Sequence, residues 1–136
     1  MNSKLLEVTV CKTGTGFSAH IEEVLGVVTT GKTIDDIKEN MYNALKGHIN
    51  VMIEDGDPIP EIVQGEYELV FKIDVESLLE YYQGILTQSA IARLTGINSK
   101  QLNHYAKGKS KPRPAQIRKI EQGLHKLGAE LMQINL

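Results

Sequence analysis

Apolar and polar residues alternate over residues 5–13, with Leu6, Val8 and Val10 on one side and Leu5, Glu7, Thr9 and Cys11 on the other. A period of two is that of a strand resting one face on a core. Thr13-Gly14-Thr15-Gly16 is a turn sequence, with glycines free to take positive φ. Residues 17–21 alternate again, Phe17, Ala19 and Ile21 sharing a face; a loop spans 22–26, a third strand 27–30, and Gly31 ends it. Three short strands in succession predict an antiparallel meander. The period then changes. Ile34, Ile37, Met41, Leu45, Ile49 and Met52 recur at spacings of three and four, with Ala44 beside them, which is the stripe of a helix packing on the sheet. Thr33 is a good N-cap, Asp35 and Asp36 suit the positive end of the helix dipole, Gly56 ends the helix, and Pro58 and Pro60 keep it from resuming. Residues 67–74 return to period two, with Tyr67, Leu69, Phe71 and Ile73 on one side. The order β-β-β-α-β predicts an α+β sandwich of one helix on one sheet.

The rest of the chain reads as helical. In residues 88–105 the apolar positions Ile91, Ile97, Leu102 and Tyr105 form a small core. Ala92 is small enough for two helices to touch there, and Gly96, four residues on, allows a tight turn between them. Thr87 can cap the first helix, and Asn98 with Gln101 can form a capping box for the second. A further helix starts near Pro114, a residue suited to a first turn. Its stripe of Ile117, Ile120, Leu124, Leu127 and Leu131 fits either the core of the helical domain or a dimer seam.

Charge divides the chain the same way. Through Glu80 there are six Lys against fifteen Asp and Glu, a net −9; after it there are nine Lys and Arg against two Glu, a net +7. The overall −2 conceals this. An acidic and a basic half point to two modules with different partners, placed at 1–75 and 76–136. A length of 136 residues fits one ordinary domain or two very small ones, and cores this small leave oligomerisation as a natural supplement. The single cysteine, Cys11, excludes an internal disulfide framework and a Cys-rich zinc site. No apolar run approaches the roughly 18 residues of a membrane span, and residues 1–7 lack the apolar stretch of a signal peptide. The expectation is a cytoplasmic protein without a membrane partner.

The segment Leu25-Gly26-Val27-Val28-Thr29-Thr30-Gly31-Lys32-Thr33-Ile34-Asp35-Asp36-Ile37, followed by Ile53-Glu54-Asp55-Gly56-Asp57-Pro58-Ile59-Pro60, resembles the HicB antitoxin family. The likeness lies in a Gly by the third strand, a Gly-x-Thr that opens an acidic-apolar helix, and a helix-ending Gly before Ile-Pro; it spans about residues 4–74. The segment after Ile21 lacks the Pro that the family often carries ahead of Leu-x-Gly. The resemblance implies a truncated RNase-H-like domain that binds and blocks a small HicA-like ribonuclease toxin. Residues 88–105, with Gly108 and the helix from Pro114, are similar to the Cro/repressor-type (XRE) helix-turn-helix, which implies operator DNA as a second partner and a homodimer or higher homo-oligomer.

The expected DNA-binding residues follow from the side of the second helix opposite Leu102 and Tyr105: Ser99, Lys100, Asn103, His104 and Lys107. Lys can donate to guanine, Asn can pair with adenine through two bonds, and Ser can reach a base edge or a phosphate. Gln88 stands where the helix-turn-helix family places a phosphate contact. Lys107, Lys109, Lys111 and Arg113 make a basic loop uninterrupted by acid, suited to phosphate. No catalytic residue, metal ligand or cofactor is expected. His20 and His48 lack metal-ligand spacing and read as structural, Cys11 as an ordinary thiol, and Thr13-Gly14-Thr15-Gly16 is no P-loop because no Gly-Lys-Ser/Thr follows. Residues 54–76 carry an acidic surface suited to a basic, RNA-binding partner. The expected function is an antitoxin that also represses its own operon. The alternatives are a helix-turn-helix regulator whose N-terminal module senses another partner or ligand, and a metal-dependent RNase-H-like nuclease, for which Glu7, Glu39 and Asp74 are the carboxylates on plausibly adjacent elements.

Overall fold

The computed structural model describes residues 3–136; what the sequence suggests of Met1 and Asn2 lies outside them. The chain is mixed α+β and divides into two compact units, one ending at Asp74 and the other beginning at Val75. Val75, assigned above to the first module, belongs to the second because it starts a helix and is buried in that unit's core.

The first unit holds β1 (Lys4–Lys12), β2 (Phe17–His20), β3 (Val28–Gly31), α1 (Ile34–Asp55), a 3-10 turn (Glu61–Val63) and β4 (Tyr67–Ile73). The sheet order is β3-β2-β1-β4. The β1–β2 and β2–β3 pairs are antiparallel, as a meander requires. β4 pairs parallel to β1, in a register running from Lys4↔Tyr67 to Val10↔Ile73. A parallel return needs a crossover of a dozen residues or more, and the 22-residue α1 supplies most of it. Leu6, Val8 and Val10 of β1 and Phe17 and Ala19 of β2 are all at most 1% exposed, beneath the fully buried Ile37, Met41 and Leu45 of α1. Thr33 caps α1, its Oγ1 accepting from the Asp36 amide at 3.0 Å. At the other end Gly56 takes φ 73°, and the amides of Gly56 and Asp57 donate to the carbonyls of Ile53 and Met52, the Schellman arrangement. The 3-10 turn has no signature in the apolar pattern. It buries Val63, and Lys4 holds it by donating to the carbonyls of Glu61 (2.5 Å) and Gln64 (3.1 Å).

The second unit consists of α2 (Val75–Tyr82), α3 (Gln88–Thr95), α4 (Ser99–Ala106) and α5 (Pro114–Met132). Its core is Val75, Leu79, Ile91, Ile97, Leu102, Tyr105 and Ile120. The sequence pattern does not set α2 apart as an element, yet it contributes Val75 and Leu79. Ala92 is half-buried at the core's margin. The tightest backbone approach is made by Gly123 instead: a Cβ there would lie 2.8 Å from the Leu94 carbonyl oxygen. The α5 stripe divides along its length. Ile120 is buried, Leu124 and Leu127 are half-buried, and Leu131 is 55% exposed. No helix among the described residues is long and apolar enough to cross a membrane.

Two glycines inside helices should respond in opposite directions to Ala. Gly47 of α1 faces open space, so Gly47→Ala raises stability by about 0.5–1 kcal/mol through helix propensity. Gly123→Ala meets the Leu94 carbonyl and lowers it by roughly 1–3 kcal/mol. Urea unfolding curves read both changes.

Candidate nucleic-acid interface

The surface begins with local chain rules. Thr87 Oγ1 accepts from the Ala90 amide at 3.0 Å and opens α3. Gly96 closes it at φ 75°, its amide donating to the Ala92 carbonyl at 2.8 Å. Ile97 drops into the core, and Asn98 starts α4 by accepting from the Lys100 amide at 2.7 Å. The expected capping box forms only in this half. The Gln101 side chain donates to Ser110 Oγ at 3.3 Å, tying α4 to the loop that follows instead of returning to Asn98. α4 ends in a second Schellman pair: the amides of Gly108 and Lys109 donate to the carbonyls of Tyr105 and His104.

Gln88 and Asn103, fifteen residues apart, are brought together, Gln88 Nε2 approaching Asn103 Oδ1 at 3.5 Å. That is long for a hydrogen bond; it orients the two amides loosely. Asn103 retains its NH₂ donors and a second lone pair on Oδ1, enough to match an adenine edge. Asn103, His104 and Gln88 are half-buried rather than fully outward, because each lies beside a neighbouring helix or loop; Ser99 and Lys100 are exposed. Lys107, Lys109, Lys111 and Arg113 are exposed as well. In sequence no acid interrupts this loop, but in space one does. The Glu76 carboxylate of α2 sits against Gly108, where a Cβ would lie 2.8 Å from Oε1, and so offsets part of the loop's positive field. Gly108 is required by its φ of 71°, whereas the Glu76 side chain could swing aside.

A polar basin of about 600 Å³ lies beside the start of α4, lined by Asn98, Gln101, Ser110, Lys111, Arg113, Gln116 and Lys119 among others. Lys119 lies outside the set that the sequence predicts. Its signal there is its place one turn beyond Gln116 on α5, which gives the two side chains the same face. Three cations around a concavity provide a place for an anionic group.

The residues considered for catalysis stay apart. Glu7 pairs with Lys72 across β1 and β4, Glu39 is exposed on α1, and Asp74 lies beyond the end of β4. Among the described residues no group of three or more His, Cys, Asp or Glu side chains can hold a metal ion. His20 is 3.8 Å from Glu22, at the rim of the sheet. His48 is half-buried beside Gly26. Burial raises the pKa of the Cys11 thiol, and the hydrogen bond to Asp74 and that residue's charge raise it further. No protein-family model matches the chain, and no curated protein matches it.

The thiolate is the reactive form, so Cys11 should react with iodoacetamide at pH 8 more slowly than a free cysteine. Asp74→Asn removes the charge and should speed the reaction while leaving the effect of burial. A mass-spectrometric time course measures both rates; an unchanged rate in the variant excludes Asp74 as the cause.

Proposed function

We propose that this protein is the antitoxin of a type II toxin–antitoxin pair, related to the HicB family. Its acidic first unit binds and blocks a small HicA-like ribonuclease toxin, and its basic second unit represses the operon by binding operator DNA. The observation that carries the DNA-binding half is the convergence of Gln88 and Asn103 across a three-residue turn, with Lys100 exposed on the same short helix and the basic loop directly after it. This arrangement fits a helix-turn-helix whose second helix presents Ser99, Lys100 and Asn103 to base edges while Gln88, Lys109, Lys111 and Arg113 meet phosphates. Lys119 extends the phosphate surface onto α5.

The toxin-binding half rests on fold and charge. A four-stranded mixed sheet with one helix on one face is compatible with a truncated RNase-H-like domain. Glu54, Asp55, Asp57, Glu61, Glu66 and Glu68 are all exposed, and a ribonuclease that grips RNA presents the opposite charge. For the dimer, the second half of α5 is a natural seam. Leu124, Leu127, Gly128 and Leu131 border an apolar groove of about 280 Å³ with Leu78, Tyr82 and Leu86.

Two experiments test the reading. In the first, operator and scrambled duplexes are titrated across a salt series. Asn103→Ala should lower operator affinity by roughly 1–3 kcal/mol and leave scrambled affinity nearly unchanged, since a bidentate base contact is what discriminates. Lys109→Ala with Lys111→Ala should weaken both alike and flatten the slope of log K against log salt by about 0.9 for each phosphate no longer neutralised. If Asn103→Ala weakens both duplexes equally and the double variant leaves the slope unchanged, α4 does not read DNA. The second experiment co-expresses the chain with the product of the neighbouring reading frame, which this reading expects to be a small basic protein. Stable co-purification and rescue of growth are expected; failure of both removes the antitoxin half and leaves the regulator.

A further inference from the structure

The sheet has two edges, and the chain treats them differently. β3 is four residues long, and the outward carbonyl of Thr30 is occupied by Asn40 Nδ2 at 2.8 Å. That is a blunted edge. β4, at the other end, is seven residues long and has neither proline nor glycine. The Lys4 amide donates to the Glu66 carbonyl, which fixes which backbone groups of β4 turn toward β1. Those of Glu68, Val70 and Lys72 do; those of Tyr67, Leu69, Phe71 and Ile73 point away from the sheet, with no backbone partner among the described residues. Such a row is a template for another strand.

The sequence of β4, Tyr-Glu-Leu-Val-Phe-Lys-Ile, is complementary to itself when reversed. An antiparallel copy centred on Val70 places Glu68 opposite Lys72, Leu69 opposite Phe71, Tyr67 opposite Ile73 and Val70 opposite Val70. Opposite charges face each other twice on the open side of the sheet, and apolar or aromatic residues face each other on the α1 side. Lys72, already paired with Glu7, gains a second carboxylate. The outward backbone groups of both strands are all used. The α1 side also has room, because α1 packs chiefly over β3 and β2 and leaves Tyr67, Phe71 and Ile73 only half-buried, with Tyr42 leaning on Phe71 at 6.4 Å.

We propose that β4 is a self-association edge: two copies of this chain join their sheets by antiparallel β4–β4 pairing about a two-fold axis at Val70, forming one continuous eight-stranded sheet. The interface is isologous, so by itself it joins two copies and no more. It is separate from the α5 seam, and of the carboxylates proposed above to face the toxin it engages only Glu68.

Register makes the pairing testable. Val70 and its counterpart form a non-hydrogen-bonded pair, with Cα atoms about 4.5 Å apart, within disulfide range. Two copies of residue 68 are offset by four positions, about 13 Å along the strand. In the full chain carrying Cys11→Ser, Val70→Cys should give a disulfide-linked dimer under oxidised glutathione. Glu68→Cys alone and Lys72→Cys alone should stay unlinked, while a mixture of the two should cross-link. In the otherwise native chain, Val70→Lys places like charges at the axis, and its native mass by light scattering should be half that of the wild type at equal concentration. A mass unchanged by Val70→Lys, or Glu68→Cys linking to itself as readily as Val70→Cys, overturns the proposal; the edge is then free or taken by a different protein. The operator titration has no bearing on either result.

Discussion

Strict alternation along β1 is the constraint on which the first unit depends. Leu6, Val8 and Val10 are at most 1% exposed, and a slip of one residue would turn all three to the opposite face. That cost locks two registers at once, antiparallel to β2 and parallel to β4. The parallel register then dictates the rest. It requires the long crossover, so α1 must run the length of the sheet and lay Ile37, Met41 and Leu45 on it. It sets Glu7 beside Lys72 and brings Cys11 to Asp74. It also leaves β4 at an edge, with half its backbone groups directed outward.

The second unit depends on glycine. Its four helices share a core of seven buried apolar side chains, too few to tolerate much space between backbones. Gly96 permits the turn that folds α4 back beside α3, and Gly123 lets α5 come up against the end of α3. The first approach brings Gln88 within reach of Asn103, and the second carries Lys119 to the basin beside Lys111 and Arg113. The chemistry of the surface is therefore a consequence of backbone spacing. The side chains that could meet phosphate are ordinary exposed cations; what distinguishes them is where two glycines place them.

Local patterns and the antiparallel pairing of successive strands are legible in the sequence; the long-range pairing is not. Period two marks four strands, and the three-four spacing marks α1 and α5. Thr33, Thr87 and Asn98 announce helix starts, because a cap bonds an amide only two or three residues away. α2 escapes notice because its eight residues lie against the charge break and are too few to repeat an apolar stripe. The parallel β1–β4 match joins residues more than sixty positions apart, and no periodicity encodes it. Gln101 shows the limit of a motif: the Asn-x-x-Gln spacing is present, yet the side chain turns to Ser110. The candidate surface is legible as a set of cations and amides on one helix face. The Gln88–Asn103 approach, the acid beside Gly108 and the part played by Lys119 all depend on which helices touch.

Charge and edge geometry together narrow what each unit can recognise. Screening confines electrostatic discrimination to groups within about 8 Å at physiological salt, so a net −2 for the whole chain has little meaning for any single contact. The first unit, with six Lys against thirteen Asp and Glu through Asp74, carries a net −7 and repels phosphate, whereas the helical unit, with nine Lys and Arg against four Glu, carries +5. Within that unit the carboxylate of Glu76 tempers the loop at Gly108, while Lys100 at the start of α4 and Lys119 on α5 are exposed. A surface arranged this way favours a ligand that spans several spaced anions over one that carries a single charge. The nucleic-acid backbone proposed above as its ligand has that form. The acidic unit offers the reverse: separate exposed carboxylates around a sheet, which match the broad cationic protein surface proposed above as its partner.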